Sequence, residues 1–186
     1  LPIQVDNSNS ELTLVYIDDV VDEFIRVIKS DQLEDQNLSV KPEYRIRLTD
    51  LAKQIKLFRK NRASIFIERV GDGFIRKLYA TYISYLPCEK FLYPLTSHKD
   101  KRGIFSEVFK TKDSGQFSFF TAKAGVTRGN HYHHTKTEKF LVLQGKAKFS
   151  FSHRISGENY EIITTGEKLE IVETVPGWAH NITNIG

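Results

Sequence analysis

Beyond Pro87 the chain is written largely in short alternating runs: IFSEVFK, QFSFFTA, KFLVLQ, KAKFSFSH, NYEIITT and KLEIVET. Side chains of an extended segment point to opposite faces in turn, so each run can present an apolar face to a core. Gly, Asp, Asn and Ser turn residues separate the runs at intervals of roughly 8 to 12 residues, the pattern of an all-β sandwich or barrel. Residues before Pro87 follow another grammar. ELTLVYI reads as a short strand. From Asp18 the apolar residues Val20, Val21, Phe24, Ile25 and Ile28 fall at helical spacing, with an aspartate available as N-cap. Residues 31–43 are polar and read as loop. RIRLTDLAKQIKLFRKNR predicts a second helix capped by Thr49, with Leu51, Ile55 and Phe58 on one face. FIRKLYATYISYL fits helix or extended chain equally. The expected organisation is an α-containing region over 1–87 and a β domain over 88–186, with no closing strand visible after NITNIG.

Composition removes several function classes. A net charge of +4, with basic residues scattered and not gathered into an arm, gives no footprint for nucleic acid. Apolar stretches are far shorter than a membrane span requires, so none is expected. LPIQVDNSNS lacks signal architecture and does not begin with Met, as in a fragment of a longer chain. A single cysteine, Cys88, excludes an internal disulfide framework and suits a reducing cytoplasm, the expected location.

Chemistry concentrates in GNHYHHTKTEKFLVLQG, residues 129–145. His131 and His133 are one residue apart, so on extended chain both imidazoles point one way and His134 points the other. Glu138 opens the next apolar run, and His180 lies in VPGWAHNITN further on. Three imidazoles and a carboxylate suit a divalent first-row metal with positions left for substrate or water. An isolated HxH more often marks a polar hairpin with surface histidines, so the wider spacing decides.

That spacing is Gly125, five residues, His131, one, His133, four, Glu138, six, Gly145. It resembles the first motif of the cupin superfamily without a gap. Pro176, Gly177, His180 and Asn184 resemble the second motif, with two departures: no residue stands between Pro and Gly, and Glu170 occupies a position usually held by glycine. The resemblance implies a double-stranded β-helix (jelly-roll) barrel in which His131, His133, Glu138 and His180 bind a divalent metal, Zn2+ first among the candidates. DKRGIFSE and VTRGNHYH further resemble the paired RG segments of dTDP-4-dehydrorhamnose 3,5-epimerases, which act on nucleotide-linked 4-ketosugars. Arg102 and Arg128 are then the diphosphate anchors, a role that suits the planar guanidinium.

ELTLVYIDDVVDEFIRVI resembles the substrate-side tail of extended short-chain dehydrogenases/reductases. Such a tail followed by a cupin carrying NHYHHTKTEKFLV resembles the family of bifunctional capsular-polysaccharide reductases, in which a Rossmann reductase is fused to a zinc cupin. The resemblance implies C3 epimerisation of a UDP-linked ketosugar, and a homodimer. No GxxGxxG turn occurs in these 186 residues, and the YxxxK spacing Tyr132–Lys136 falls inside the histidine-rich motif, so NADP(H) would belong to the part of such an enzyme that lies outside this chain. Proton transfer needs a group not occupied on the metal: His134, Glu107 and Lys136 are the candidates, with Lys139 and Tyr132 behind them. Cupin oxygenases and non-catalytic sugar-binding or dimerising cupins use related scaffolds and stay open as alternatives.

Overall fold

The computed structural model describes residues 3–5, 10–30 and 38–186. The chain is mostly β and divides into two compact units, Leu1–Pro94 with Phe109–Phe117, and Leu95–Val108 with Ser118–Gly186. Among the described residues no helix is long and apolar enough to cross a membrane, which says nothing of strands.

In the first unit, β1 (Glu11–Leu14) pairs antiparallel with β2 (Tyr44–Arg47), placing Leu12 opposite Ile46. Three α-helices occur among the described residues: α1 (Ile17–Ile28), α2 (Leu48–Ser64) and α3 (Gly73–Ser84). Their starts correct the sequence reading. The N-cap of α1 is Tyr16, and Asp18 and Asp19 lie in its first turn, where they face the positive end of the helix dipole without capping it. Thr49 likewise falls inside α2, whose N-cap is Arg47, because Tyr44–Arg47 is held extended by pairing with β1. Tertiary pairing thus overrides the helical reading of RIR. The aromatics that left α3 undecided become its reason to pack: Tyr79 and Tyr82, three apart on one helical face, meet the buried Phe58 of α2 at ring distances of 5.0 and 5.6 Å. Of the expected loop, residues 31–37 lie outside the described residues, and 38–43 carry no helix or strand.

The second unit holds three antiparallel sheets. β3 (Ser97–Asp100), β4 (Gly103–Lys110) and β5 (Gln116–Phe120) form one, although the far ends of β4 and β5 count with the first unit. β6 (Thr127–His131), β11 (Trp178–Asn184), β8 (Lys146–His153) and β9 (Asn159–Thr165) form a four-stranded sheet in the order β6-β11-β8-β9. β7 (Glu138–Leu141) and β10 (Ile171–Thr174) form a two-stranded ribbon. Alternation on β8 buries Ala147, Phe149 and Phe151, and these with Val172 of β10 make the core. Phe140 of β7 packs on Phe149 with ring centroids 5.6 Å apart, which ties the ribbon to the large sheet. The six alternating runs all contain strands. β3, SHKD, is exposed throughout and has no apolar face to announce it.

Candidate metal centre

Strand pairing, glycine placement and two hydrogen bonds bring the site together. β6 and β11 pair with His131 opposite His180, and the register shifts between His180 and Asn181. Gly129 and Asn130 have φ of 102° and 63°, the left-handed region that glycine, and next to it asparagine, tolerates. A Cβ on Gly129 would lie 2.9 Å from the His180 carbonyl oxygen, so the close approach of the two strands requires glycine there. Asn181 Nδ2 donates to Asn130 Oδ1 across the irregular step at 2.9 Å. Finally, Gly177 N donates to the His133 carbonyl at 3.2 Å, anchoring the segment after β6 to the Pro176–Gly177 turn.

The result is a tight quartet: one ligand atom from each of His131, His133, Glu138 and His180 lies within 4.8 Å of the others. Glu138 Oε2 is the hub, 3.1 Å from His180 Nε2, 3.3 Å from His133 Nε2 and 4.0 Å from His131 Nε2. The other oxygen, Oε1, accepts a 2.7 Å hydrogen bond from Lys136 Nζ. His180 is 5% exposed, and burial pushes its imidazole pKa down against the opposing pull of Glu138. Burial works to raise the Glu138 pKa, but the Lys136 hydrogen bond and charge, with His133 and His180, bring it below the usual carboxylate value. A neutral imidazole and an ionised carboxylate are the forms in which these groups bind metal. His133 Nε2 is buried without a hydrogen-bond partner, a cost that a cation at the centre of the quartet would remove. The residues present therefore fit a divalent cation.

A cavity of about 180 Å3 opens beside the quartet, lined by Phe105, Phe120, Phe140 and Phe149 on its apolar side and by Arg128, His131, Glu138 and His180 on its polar side. Arg128 is half-buried, its guanidinium carbon 5.3 Å from the Phe120 ring centroid and its Nε without a partner. Arg102 is elsewhere. It is exposed in the β3–β4 turn and is not among the residues that line the cavity. Its backbone N donates to Asp100 Oδ1 at 2.8 Å, and its Nε and Nη2 donate to Oδ2 at 2.9 and 2.6 Å. Those bonds, with a smaller contribution from Arg128, lower the Asp100 pKa to about 2.

The proton-transfer candidates are separated. His134 is exposed, in the bend that follows β6, with its ring 5.2 Å from that of Tyr132. Lys136 is bonded to Glu138, and Lys139 Nζ contacts Glu173 on the neighbouring strand. Glu107 is half-buried on β4, two residues beyond Phe105 and so on the same face as that cavity-lining ring. Thr174, which no sequence signal marked, is 1% exposed and its Oγ1 accepts from the Glu138 backbone N at 3.0 Å. It closes the KLEIVET run, and only the pairing of β10 with β7 shows what it holds.

Residues 98–186 match the family described as the polysaccharide biosynthesis C-terminal domain. A curated relative, the UDP-2-acetamido-2,6-β-L-arabino-hexul-4-ose reductase of Pseudomonas aeruginosa, is 55% identical over all 186 residues. The chain spans about half the length of that relative, 50%. Among solved structures, the capsular polysaccharide assembling protein CapF of Staphylococcus aureus is 41% identical and aligns over 99% of this chain and 50% of its own, with a TM-score of 0.90. CapF with the inhibitor 3-isopropenyl-tropolone aligns over 99% of this chain and 54% of its own, with a TM-score of 0.92 at 41% identity. Over its whole length, this chain thus resembles the C-terminal half of the UDP-2-acetamido-2,6-β-L-arabino-hexul-4-ose reductases.

Proposed function

We propose that the second unit is a metal-dependent cupin barrel that epimerises C3 of a UDP-linked 4-ketosugar, within a bifunctional enzyme of capsular-polysaccharide biosynthesis. The convergence of three imidazoles and one carboxylate oxygen on the wall of a cavity that also carries Arg128 is the observation that carries this reading. The name of the curated relative supports the substrate class. This chain carries no GxxGxxG turn, so we place the reduction, with NADP(H), outside it. A homodimer completes the proposal, as cupins commonly pair through their sheets.

The cavity limits what enters. At about 180 Å3 it is smaller than the roughly 300–1,000 Å3 typical of pockets that enclose a drug-sized ligand. It therefore takes the sugar ring, with the nucleotide at its mouth. Arg128, whose Nε lacks a partner, is the better-placed diphosphate anchor. Arg102 must first give up Asp100. A divalent cation bound by His131, His133, Glu138 and His180, Zn2+ being our choice, would supply Lewis-acid polarisation of the 4-keto oxygen. The C3 proton, acidified by that carbonyl, needs a base on one face and an acid on the other. Glu107, on the β4 face shared with Phe105, is our candidate base. His134 is exposed with its ring against Tyr132, and Lys136 is engaged by Glu138.

His131→Ala tests the reading: it should remove stoichiometric metal and abolish deuterium uptake from solvent at C3 of the substrate. Glu107→Gln should keep the metal and slow that exchange by about 10²- to 10⁴-fold, the usual contribution of a general base. Unchanged metal content together with unchanged exchange in the His131 variant would overturn the proposal.

A further inference from the structure

We infer that Lys136 is a positioning residue that decides how Glu138 meets a cation: it holds Oε1 and leaves Oε2 alone to ligate. This rests on the reading of the quartet as a metal site. The final torsion of a glutamate is broad and roughly two-fold, so a carboxylate entering a metal site can bind through one oxygen or chelate through both. Nothing in the backbone of β7 selects between these. The backbone of Glu138 is fixed independently, by the hydrogen bond from its N–H to the buried Thr174 hydroxyl. What selects is the side-chain contact. Lys136 Nζ sits 2.7 Å from Oε1, whereas the three imidazole Nε2 atoms gather round Oε2 at 3.1, 3.3 and 4.0 Å. The two oxygens of one carboxylate are thereby given different tasks.

An ammonium suits this position. It has three donors and no acceptor, so it can orient the carboxylate without competing as a ligand. It also places a positive charge on the oxygen turned away from the imidazoles, which opposes rotation of that oxygen toward the cation. The consequence is a centre with three nitrogens and one oxygen from protein, and with coordination positions kept for the keto oxygen of a substrate. Chelation by both carboxylate oxygens would take one of those positions.

The test uses Co2+ alone as the probe, on the wild-type chain, Lys136→Met and Lys136→Arg. Stoichiometry is read by elemental analysis, and coordination number by d–d absorption and X-ray absorption. We expect one Co2+ per wild-type chain with a single carboxylate oxygen in the coordination sphere. Lys136→Met should still take up one Co2+ but gain a second carboxylate oxygen, with a loss of d–d intensity. Lys136→Arg, which can still donate to Oε1, should keep the wild-type spectrum. Lys136 lies on the surface, so the Met variant should fold as the wild type does. A Lys136→Met spectrum identical to wild type overturns the inference while leaving the metal site standing. Failure of the wild-type chain to take up stoichiometric Co2+ overturns the metal site and the inference with it.

Discussion

Single residues in the second unit carry functions that their neighbours in sequence do not explain. The RG pair is the clearest case. The sequence presents Arg102 and Arg128 as equivalents, but Asp100 already occupies the guanidinium of Arg102, and Arg128 faces the cavity with an unpartnered Nε. Asp100 titrates accordingly. Its folded pKa, about 2, is depressed below the ordinary aspartate value near 3.9. A depressed carboxylate stabilises the fold above its unfolded pKa, and the contribution fades as pH falls from roughly 4 through about 2. Both partners are about half exposed, so the effect on global stability is small. The titration itself is the sensitive readout. Carboxyl-carbon NMR should place the Asp100 midpoint near 2 in the wild type and shift it well toward the ordinary value in Arg102→Ala. An Asp100 midpoint already near 3.9 in the wild type would show that the contact does not persist in solution. The convergence of His131, His133, Glu138 and His180 was legible from the sequence because the spacing of such a motif is a chain property. The Asp100–Arg102 contact was not, since it depends on how tightly the β3–β4 turn closes.

At the scale of elements, the pattern that is easiest to read is the one that buries a face. β4, β5 and β7 to β10 declare themselves by alternation, while β3, which is exposed throughout, and β2, four residues with two arginines, do not. Helix starts are hidden for a related reason: Asp18 and Thr49 have good capping chemistry, yet chain direction just before each helix is set by the β1–β2 ribbon. The joint between β7 and β10 makes a sharper claim. Thr174 is buried, and its hydroxyl meets the backbone N–H of Glu138. Valine has nearly the same shape and no acceptor, so Thr174→Val leaves a buried donor unpaired, at a cost of about 1–3 kcal/mol. Chemical denaturation should show that loss, and competition with a chelator should show weaker metal retention, because the donor belongs to Glu138, a member of the candidate metal site. Thr174→Ser keeps the hydroxyl and should retain metal as the wild type does. Equal metal retention by the Val and Ser variants would reduce Thr174 to a packing residue.

At the scale of the whole molecule, the core of the second unit and the candidate site are one structure. Phe149, 1% exposed, is at once the centre of the β8 core and a wall of the cavity. It packs on Phe140, whose ring centroid lies 6.5 Å from that of His180. Placement of the ligands therefore follows from hydrophobic burial, and the ligands give something back only if a cation joins them. Without one, the quartet keeps a buried imidazole nitrogen unpaired and a half-buried carboxylate among three rings. A cation that binds the folded state and not the unfolded chain stabilises by RT ln(1 + [L]/Kd), about 2.7 kcal/mol at a hundredfold excess over Kd. For a domain of this size that raises Tm by on the order of 10 °C. Thermal unfolding followed by circular dichroism should show such a rise when Zn2+ is added, a return to the starting value with a chelator, and no response in His131→Ala. Mg2+, which prefers oxygen ligands in an octahedral shell, should leave Tm where it was. A wild-type Tm indifferent to Zn2+, Co2+ and Mn2+ alike would mean that the four side chains converge without binding any of these ions, and would turn the reading from catalysis toward a cupin that serves sugar binding or dimerisation alone.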